Sequence, residues 1–468
     1  MTEVLKENKM GTMPVGQLLL KMSIPMVVSM LVQAIYNIVD SIFVSRVSEE
    51  ALTAVSLAFP IQNILLAFAL GISVGSSALL SRYLGENDRR RVGSIARHGV
   101  ILSAVASVIF AIIGLFVSAP FAARQGQNAL ISEYTEQYLW IVTVFSFGLF
   151  FQVLAEKLLQ ATSLTTFTMI TQISGALINL ILDPILIFGL FGMPALGVRG
   201  AAIATVIGQA GGALIGLYFN LSRNHEIKLE GRKFRWDREI VKNIFWIGLP
   251  SIVMSSIGSI VIFILNLILK NFGQSAIAAY GVMFKFQTFA FLPVIGIANA
   301  LTTIVAYNYG ARKKDRILES IALAMKSSFI LVSIAIAIMW IFPSELLSFF
   351  NATDEMMRIG VPMMRIASLS YFVAIPSIIA VSGVFQALGN WKMAILQSFL
   401  RQLIILVPVF YLLSKTGKLE LVWWSFFIAE ALDSMLCIWV LRKEIKTKIE
   451  PLDEKPILKN EDQLIEYQ

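Results

Sequence analysis

Residues 95–119 read IARHGVILSAVASVIFAIIGLFVSA, and the last 21 of them carry no charged side chain. A helix of that length rises about 31 Å, which matches a bilayer core of about 30 Å. Eleven further apolar stretches have the same character: 18–42, 52–80, 131–155, 166–190, 199–220, 243–268, 276–305, 321–342, 361–386, 393–413 and 421–441. The alternating apolar pattern of a membrane barrel is absent, so the spans are helices. The segment before residue 18 is polar and lacks a cleavage-site pattern, so the first span is expected to be retained.

Composition agrees. The 468 residues are 57% hydrophobic and 15% charged, with a mean hydropathy of +0.76. Soluble chains are about 45–50% apolar and about 25% charged, so a soluble enzyme is excluded, as are disordered and collagen-like chains. The single cysteine, Cys437, excludes a disulfide framework within the chain and a cysteine metal site. His98 and His225 are too few for a histidine metal cluster.

Positive charge sets the expected orientation. With the N-terminus in the cytoplasm, Lys6, Lys9 and Lys21 lie inside, with Arg82, Arg89, Arg90, Arg91 and Arg97. The central loop adds Arg223, Lys228, Arg232, Lys233, Arg235, Arg238 and Lys242. Arg312, Lys313, Lys314, Arg316 and Lys326 follow, and the tail carries Arg442, Lys443, Lys446, Lys448, Lys455 and Lys459. The other side holds Arg46, Arg124, Arg199, Lys270, Arg358, Lys415 and Lys418. This bias predicts both termini inside. It also accounts for the net charge of +8 by topology and lipid contact, without nucleic acid.

The halves repeat at a constant shift of 225 residues. Pro25 matches Pro250; Ala51, Ala54, Phe59 and Gln62 match Ala276, Ala279, Phe284 and Gln287. Gly71 and Ile72 match Gly296 and Ile297, Gly85 matches Gly310, and Arg91 matches Arg316. Six spans per half make this a parallel repeat, the design of a transporter whose lobes rock about a central cavity. The expected organisation is a six-helix lobe over 1–220 with the ion site, a basic loop over 221–242, a second lobe over 243–441, and a charged tail over 442–468.

Polar groups at bilayer depth are costly and usually functional. Gln33, Tyr36, Asn37 and Asp40 recur at three and four residues and form one stripe of the first span. Asn179 and Asp183 share a face of the fifth. Pro184 lacks an N–H, which frees the carbonyl of Leu180. The sixth supplies Thr205 and Gln209. Where these helices meet, two carboxylates, an amide and a hydroxyl form a hard oxygen set that takes a proton or ligates sodium. The bland alternatives are that Asp40 caps its helix or faces outer water, that Asn179 and Asp183 serve as packing glue, and that Thr205 bonds its own backbone.

The second half lacks these acids: at the same shift Asp40 falls on Leu265. It carries Lys285, Arg401, Glu430 and Asp433 instead, and Arg401 with Glu430 reads as a buried structural pair rather than a substrate contact. Glu156 and Lys157 read as interfacial, with Lys157 snorkelling to the surface. The stretch from Tyr280 to Phe289, with Met283, Phe284, Phe286 and Gln287, is a candidate cavity wall able to re-pack around different ligands.

These residues give the chain a resemblance to the MATE family, the multidrug and toxic compound extrusion transporters. It rests on Ser23-Ile24-Pro25 followed by Gln33, Asn37 and Asp40, and on Ala51 to Ser56 with Gly71, Gly75 and Arg82-Tyr83-Leu84-Gly85. It continues with Ile178-Asn179 to Asp183-Pro184, Gly197 to Ala202, Gly248-Leu249-Pro250 and the block from Gly296 to Gly310. The resemblance implies an all-α integral membrane fold, with twelve transmembrane helices in two pseudo-symmetric six-helix lobes around a V-shaped cavity. It implies antiport of organic cations or other amphipathic drugs against protons or sodium. It implies a coupling-ion site at Asp40, Asn179, Asp183 and Thr205, with Tyr36 one turn from Asp40 and Pro25 helping the first helix to bend. The chain departs from the pattern in having no acids in the seventh and tenth spans, and no glycine in Leu159–Ser163.

The expected function is secondary active drug export by a bacterial cell-membrane protein, multi-pass and acting as a monomer, with no cofactor beyond the coupling ion. Its partners are small amphipathic drugs and the bilayer. A lipid-linked oligosaccharide flippase of the related superfamily is the alternative. A membrane enzyme lacks its catalytic constellation here, and a channel would show conductance without coupling.

Overall fold

The structure, a computed structural model, describes residues 8–126, 128–227, 235–350 and 352–452, apart from the side chain of Ser259. Lys6, Lys228, Arg232, Lys233, Lys455 and Lys459 lie outside the described residues, as do parts of the predicted inter-lobe loop and tail.

The described chain is helical and makes twelve spans. They are α1 (Val15–Ser45), α2 (Glu49–Gly85), α3 (Arg89–Gln125) and α4, which runs Ala129–Val144 and then Phe147–Ala161. Next come α5 (Thr165–Phe188), α6 (Val198–Ser222), α7 (Arg238–Leu269), α8 (Gln274–Gly310) and α9 (Lys314–Ile341). α10 (Asp354–Ile378) runs on into a π-helical segment (Ile379–Phe385). α11 (Trp391–Ser414) has its own π-helical segment (Leu400–Leu406), and α12 is Leu419–Glu444. Every predicted span is present. Most are longer than their apolar runs because polar caps outside the bilayer extend them: Ser48 caps α2, Asp88 caps α3, Asn128 caps α4 and Asp237 caps α7. The sequence reading missed the bend of 48° in α4, at a break where Phe145 and Ser146 leave the helix.

The lobes meet along the halves of α1, α2, α7 and α8 nearest the described termini. One apolar cluster there joins Met10, Leu18, Leu80, Leu84 and Ile95 to Ile244, Ala300 and Ile304. At the opposite end, Val44, Ala51, Ala58, Tyr138, Val198 and Ala201 cluster within the first lobe alone. The molecule is therefore closed at the end that holds its termini and parted at the other.

The contacts at the closed end are themselves symmetric. A Cβ on Gly85 would strike the carbonyl of Tyr307, and one on Gly310 would strike the carbonyl of Arg82. A Cβ on Gly71 would meet Ile252, and one on Gly296 would meet Val27. Moving either contact along the chain by 225 residues produces its partner. The sequence repeat is thus a pseudo-two-fold axis running between α2 and α8, and glycine permits the close approach on both sides of it.

The segment ahead of α1 straps the closed end. Asn8 donates to Glu226 (2.9 Å), which also pairs with Arg89, all in the first lobe. Two to five residues on, the carbonyls of Met10 and Met13 accept from Arg316 (2.9 and 2.6 Å), and that of Gly11 accepts from Lys313 (2.9 Å).

Candidate functional site

The oxygen cluster forms where α1, α4, α5 and α6 converge in the first lobe. α6 comes close to α5 because Gly208, Gly212 and Gly216 recur every four residues, the small-residue spacing of tight membrane packing. A Cβ on Gly208 would meet the Cβ of Asn179 at 2.8 Å. That approach brings Thr205, one turn before Gly208, onto Asn179.

Asp183 is fully buried, Asn179 is 2% exposed and Thr205 5%. The Asn179 amide lies 3.3 Å from Asp183 Oδ1 and 3.5 Å from Thr205 Oγ1. Turning the amide improves both sides: its nitrogen then donates to Asp183 Oδ2 (3.1 Å) and its oxygen accepts from the Thr205 N–H (3.1 Å). Thr205 Oγ1 also donates to the carbonyl of Ala201 (2.9 Å), so both expectations for Thr205 hold together. α1 brings the half-buried Asp40 against Asp183, close enough for the two carboxyl groups to share a hydrogen bond. Oδ1 of Asp40 is buried without a partner. A carboxyl pair at that range needs a proton or a cation between its oxygens, and an oxygen-only donor set suits a proton or sodium.

The other supporting residues divide. Tyr36 lies within electrostatic reach of both carboxyl groups. Gln33 accepts from Gln172 of α5 (3.2 Å), and with Asn37 and Gln209 it faces the central cavity. Pro25 is buried fifteen residues before Asp40, about 22 Å along the helix, and takes no part in the cluster. Sequence reasoning missed Tyr138. It is 2% exposed on α4, accepts from Gln62 (3.0 Å), and its hydroxyl meets Thr205. A tyrosine in an apolar run gives no periodic signal, and only the fold brings it to the acids.

The central cavity measures about 740 Å³ and lies between the lobes. Tyr36, Asn179 and Thr205 belong both to its wall and to the oxygen cluster, so the two sites share residues. Its lining corrects three expectations. Met283, Phe284 and Phe286 do not line it. Met283 is buried in the second lobe, where its sulfur accepts from Tyr371 (3.6 Å); Phe286 packs edge-on against Phe350; Phe284 lies a turn beyond the lining residue Thr288. From that stretch only Gln287 reaches the cavity, and α8 continues the wall with Phe291, Ile295 and Asn299. Glu156 and Lys157 are not interfacial: they line the cavity, because the bend in α4 turns its second half inward. Arg401 and Glu430 do form an ion pair (2.8 Å), yet they too face the cavity.

Two helical lobes, closed at one end around a polar cavity within a twelve-span bundle, define a multi-pass membrane protein of the two-lobed transporter class. The MatE family model matches the chain twice, over residues 25–185 and 250–412, and the chain belongs to that family. The two matches begin 225 residues apart, the repeat distance found within the sequence. The chain is similar to the multidrug export protein MepA of Staphylococcus aureus, at 26% identity over 94% of this chain and 97% of that one. The MepA of Staphylococcus haemolyticus is likewise 26% identical, over 90% and 91%. Among solved structures, the fold matches an outward-facing multidrug resistance MATE transporter of the MOP superfamily, with a TM-score of 0.88 at 24% identity. That match covers 95% of this chain and 99% of the other. A MATE transporter in a straight conformation matches at 0.88, with the same identity and coverage.

Proposed function

We propose that the protein exports amphipathic drugs from the cell by alternating access, driven by inward movement of protons or sodium. The observation that carries this reading is the Asp40–Asp183 contact, with a buried carboxylate oxygen left unpartnered in a pocket that shares Tyr36, Asn179 and Thr205 with the central cavity. An ion entering the pocket changes the wall that holds the drug, and coupling needs such a difference in affinity between two states. With the termini in the cytoplasm, as the positive charges favour, the parted end faces outward. Ion binding from outside would then weaken the hold on a cationic drug and release it. Each elementary charge falling through the membrane potential supplies about 2.3 kcal/mol per 100 mV.

The test uses purified protein in liposomes, a fluorescent organic cation, and pH and sodium gradients imposed separately. Movement of the cation under one gradient, abolished by collapsing it, is the expected result. No movement under either gradient contradicts the proposal.

A further inference from the structure

The cavity wall carries charges of both signs, and they are not arranged as a trap for a cation. Glu156 and Lys157 come from the first lobe, Arg401 and Glu430 from the second, so the four sum to zero. Around them seven glutamines line the wall, and Phe291 and Tyr36 are its only aromatic residues. A purely apolar monocation gains little from such a surface. Polar groups facing a cavity favour a ligand able to answer them.

Lys157 is the singular member. Its ammonium donates to Gln160 Oε1 (2.9 Å) and, across the lobes, to Asn299 Oδ1 (3.3 Å). Both acceptors are neutral. Among the described residues no carboxylate lies within ion-pair distance of it, and its neighbour Glu156 turns to Gln152 instead (3.0 Å). An ammonium has three donors, and a charge withdrawn from water without a counter-ion is costly. Opposite, Glu430 spends one oxygen on Arg401 and leaves Oε2 buried and unpartnered, as is Nε of Arg401. Arg401 sits in the π-helical segment of α11, and Ser382 sits in that of α10. π-Helical turns are frequent at functional sites, and both residues line the cavity.

We propose that the cavity takes an amphoteric solute, with a carboxylate-like anion seated on Lys157 and a cationic or hydrogen-bonding body directed to Glu430. The proposal deepens the export reading and rests on it for the direction of travel. It also gives the substrate a hand in the cycle. An anion on Lys157 competes with Asn299 for the same ammonium, so its arrival loosens a link between the lobes at their closed end.

The test compares a rhodamine dye bearing a free carboxylate with its methyl ester, which differ only in the anion. Equilibrium binding is measured by fluorescence anisotropy with the protein in nanodiscs, where no gradient is needed. The wild type should bind the acid about tenfold more tightly than the ester. Lys157→Met should lower affinity for the acid and raise it for the ester, opposite changes that misfolding cannot produce. Lys157→Gln should behave as Lys157→Met does, and Lys157→Arg should restore the preference for the acid. Equal affinities in the wild type, or a preference that survives Lys157→Met and Lys157→Gln, overturn the proposal. Nanodiscs with and without zwitterionic phospholipid are run side by side, and acid binding that weakens only with that lipid would reassign the seat to a headgroup and overturn the solute. Binding as expected with no gradient-driven movement of either dye would sink the export reading alone. Movement of both dyes with equal affinities would sink the amphoteric site alone.

Discussion

The hydroxyl of Thr165 donates to the carbonyl of Lys21 over 3.3 Å, and that carbonyl is the acceptor that Pro25, four residues on, leaves without a helix partner. The first residue of α5 thus completes the hydrogen bonding of α1. Thr165→Val should cost roughly 0.6 kcal/mol, the average for side-chain hydrogen bonds between membrane helices. In a Pro25→Ala background, where an N–H returns to position 25, the same change should cost almost nothing. Unfolding titrations of the two single variants and the double variant measure the coupling. Additive costs would contradict the assignment.

The glycine contacts across the pseudo-two-fold axis should hold the closed end together. Gly85→Val places a branched side chain against the carbonyl of Tyr307 and should push the lobes apart there. Spin labels on Glu49→Cys and Gln274→Cys, symmetry-related positions at the parted end, report the response. The distance between them should shorten in Gly85→Val and in the equivalent Gly310→Val. An unchanged distance in both would show that these glycines do not set the balance.

Tyr138 supplies the oxygen pocket with a hydroxyl that no acidic motif announces. Tyr138→Phe keeps the ring in its apolar cluster and removes the group that accepts from Gln62 and meets Thr205. Loss of about 1 kcal/mol of hydrogen bonding should raise the coupling-ion concentration for half-maximal transport about fivefold, with little change in drug affinity. A shift confined to drug affinity would place Tyr138 in the drug site instead.

The fold was legible because a bilayer imposes a coarse rule: long apolar runs, counted, gave the twelve spans. A constant shift gave the symmetry that Gly85 and Gly310 display in space. The oxygen cluster was partly legible, since Asp40, Asn179 and Asp183 are costly at bilayer depth and spaced to share faces. What escaped were facts of direction. Lys157 lies near a span end, where a lysine ordinarily snorkels to the surface, and only the bend at Phe145 and Ser146 turns it to the cavity. Phe286 and Met283 have the composition of an adaptable wall, but composition does not say which face of α8 looks inward. Tyr138 was hidden because closeness to Thr205 arises from packing between spans far apart in sequence.

The central claim is that the carboxyl pair of α1 and α5 couples an ion gradient to export. The most direct measurement places Asp40→Asn and Asp183→Asn in liposomes and reads two things: accumulation of a fluorescent organic cation under an imposed gradient, and its exchange at equilibrium without one. An amide keeps the size of each side chain but cannot carry the ion's charge. Accumulation should fall to background in both variants while equilibrium exchange persists, because the cavity itself is intact. Gradient-driven accumulation at the wild-type level in both variants would contradict the claim.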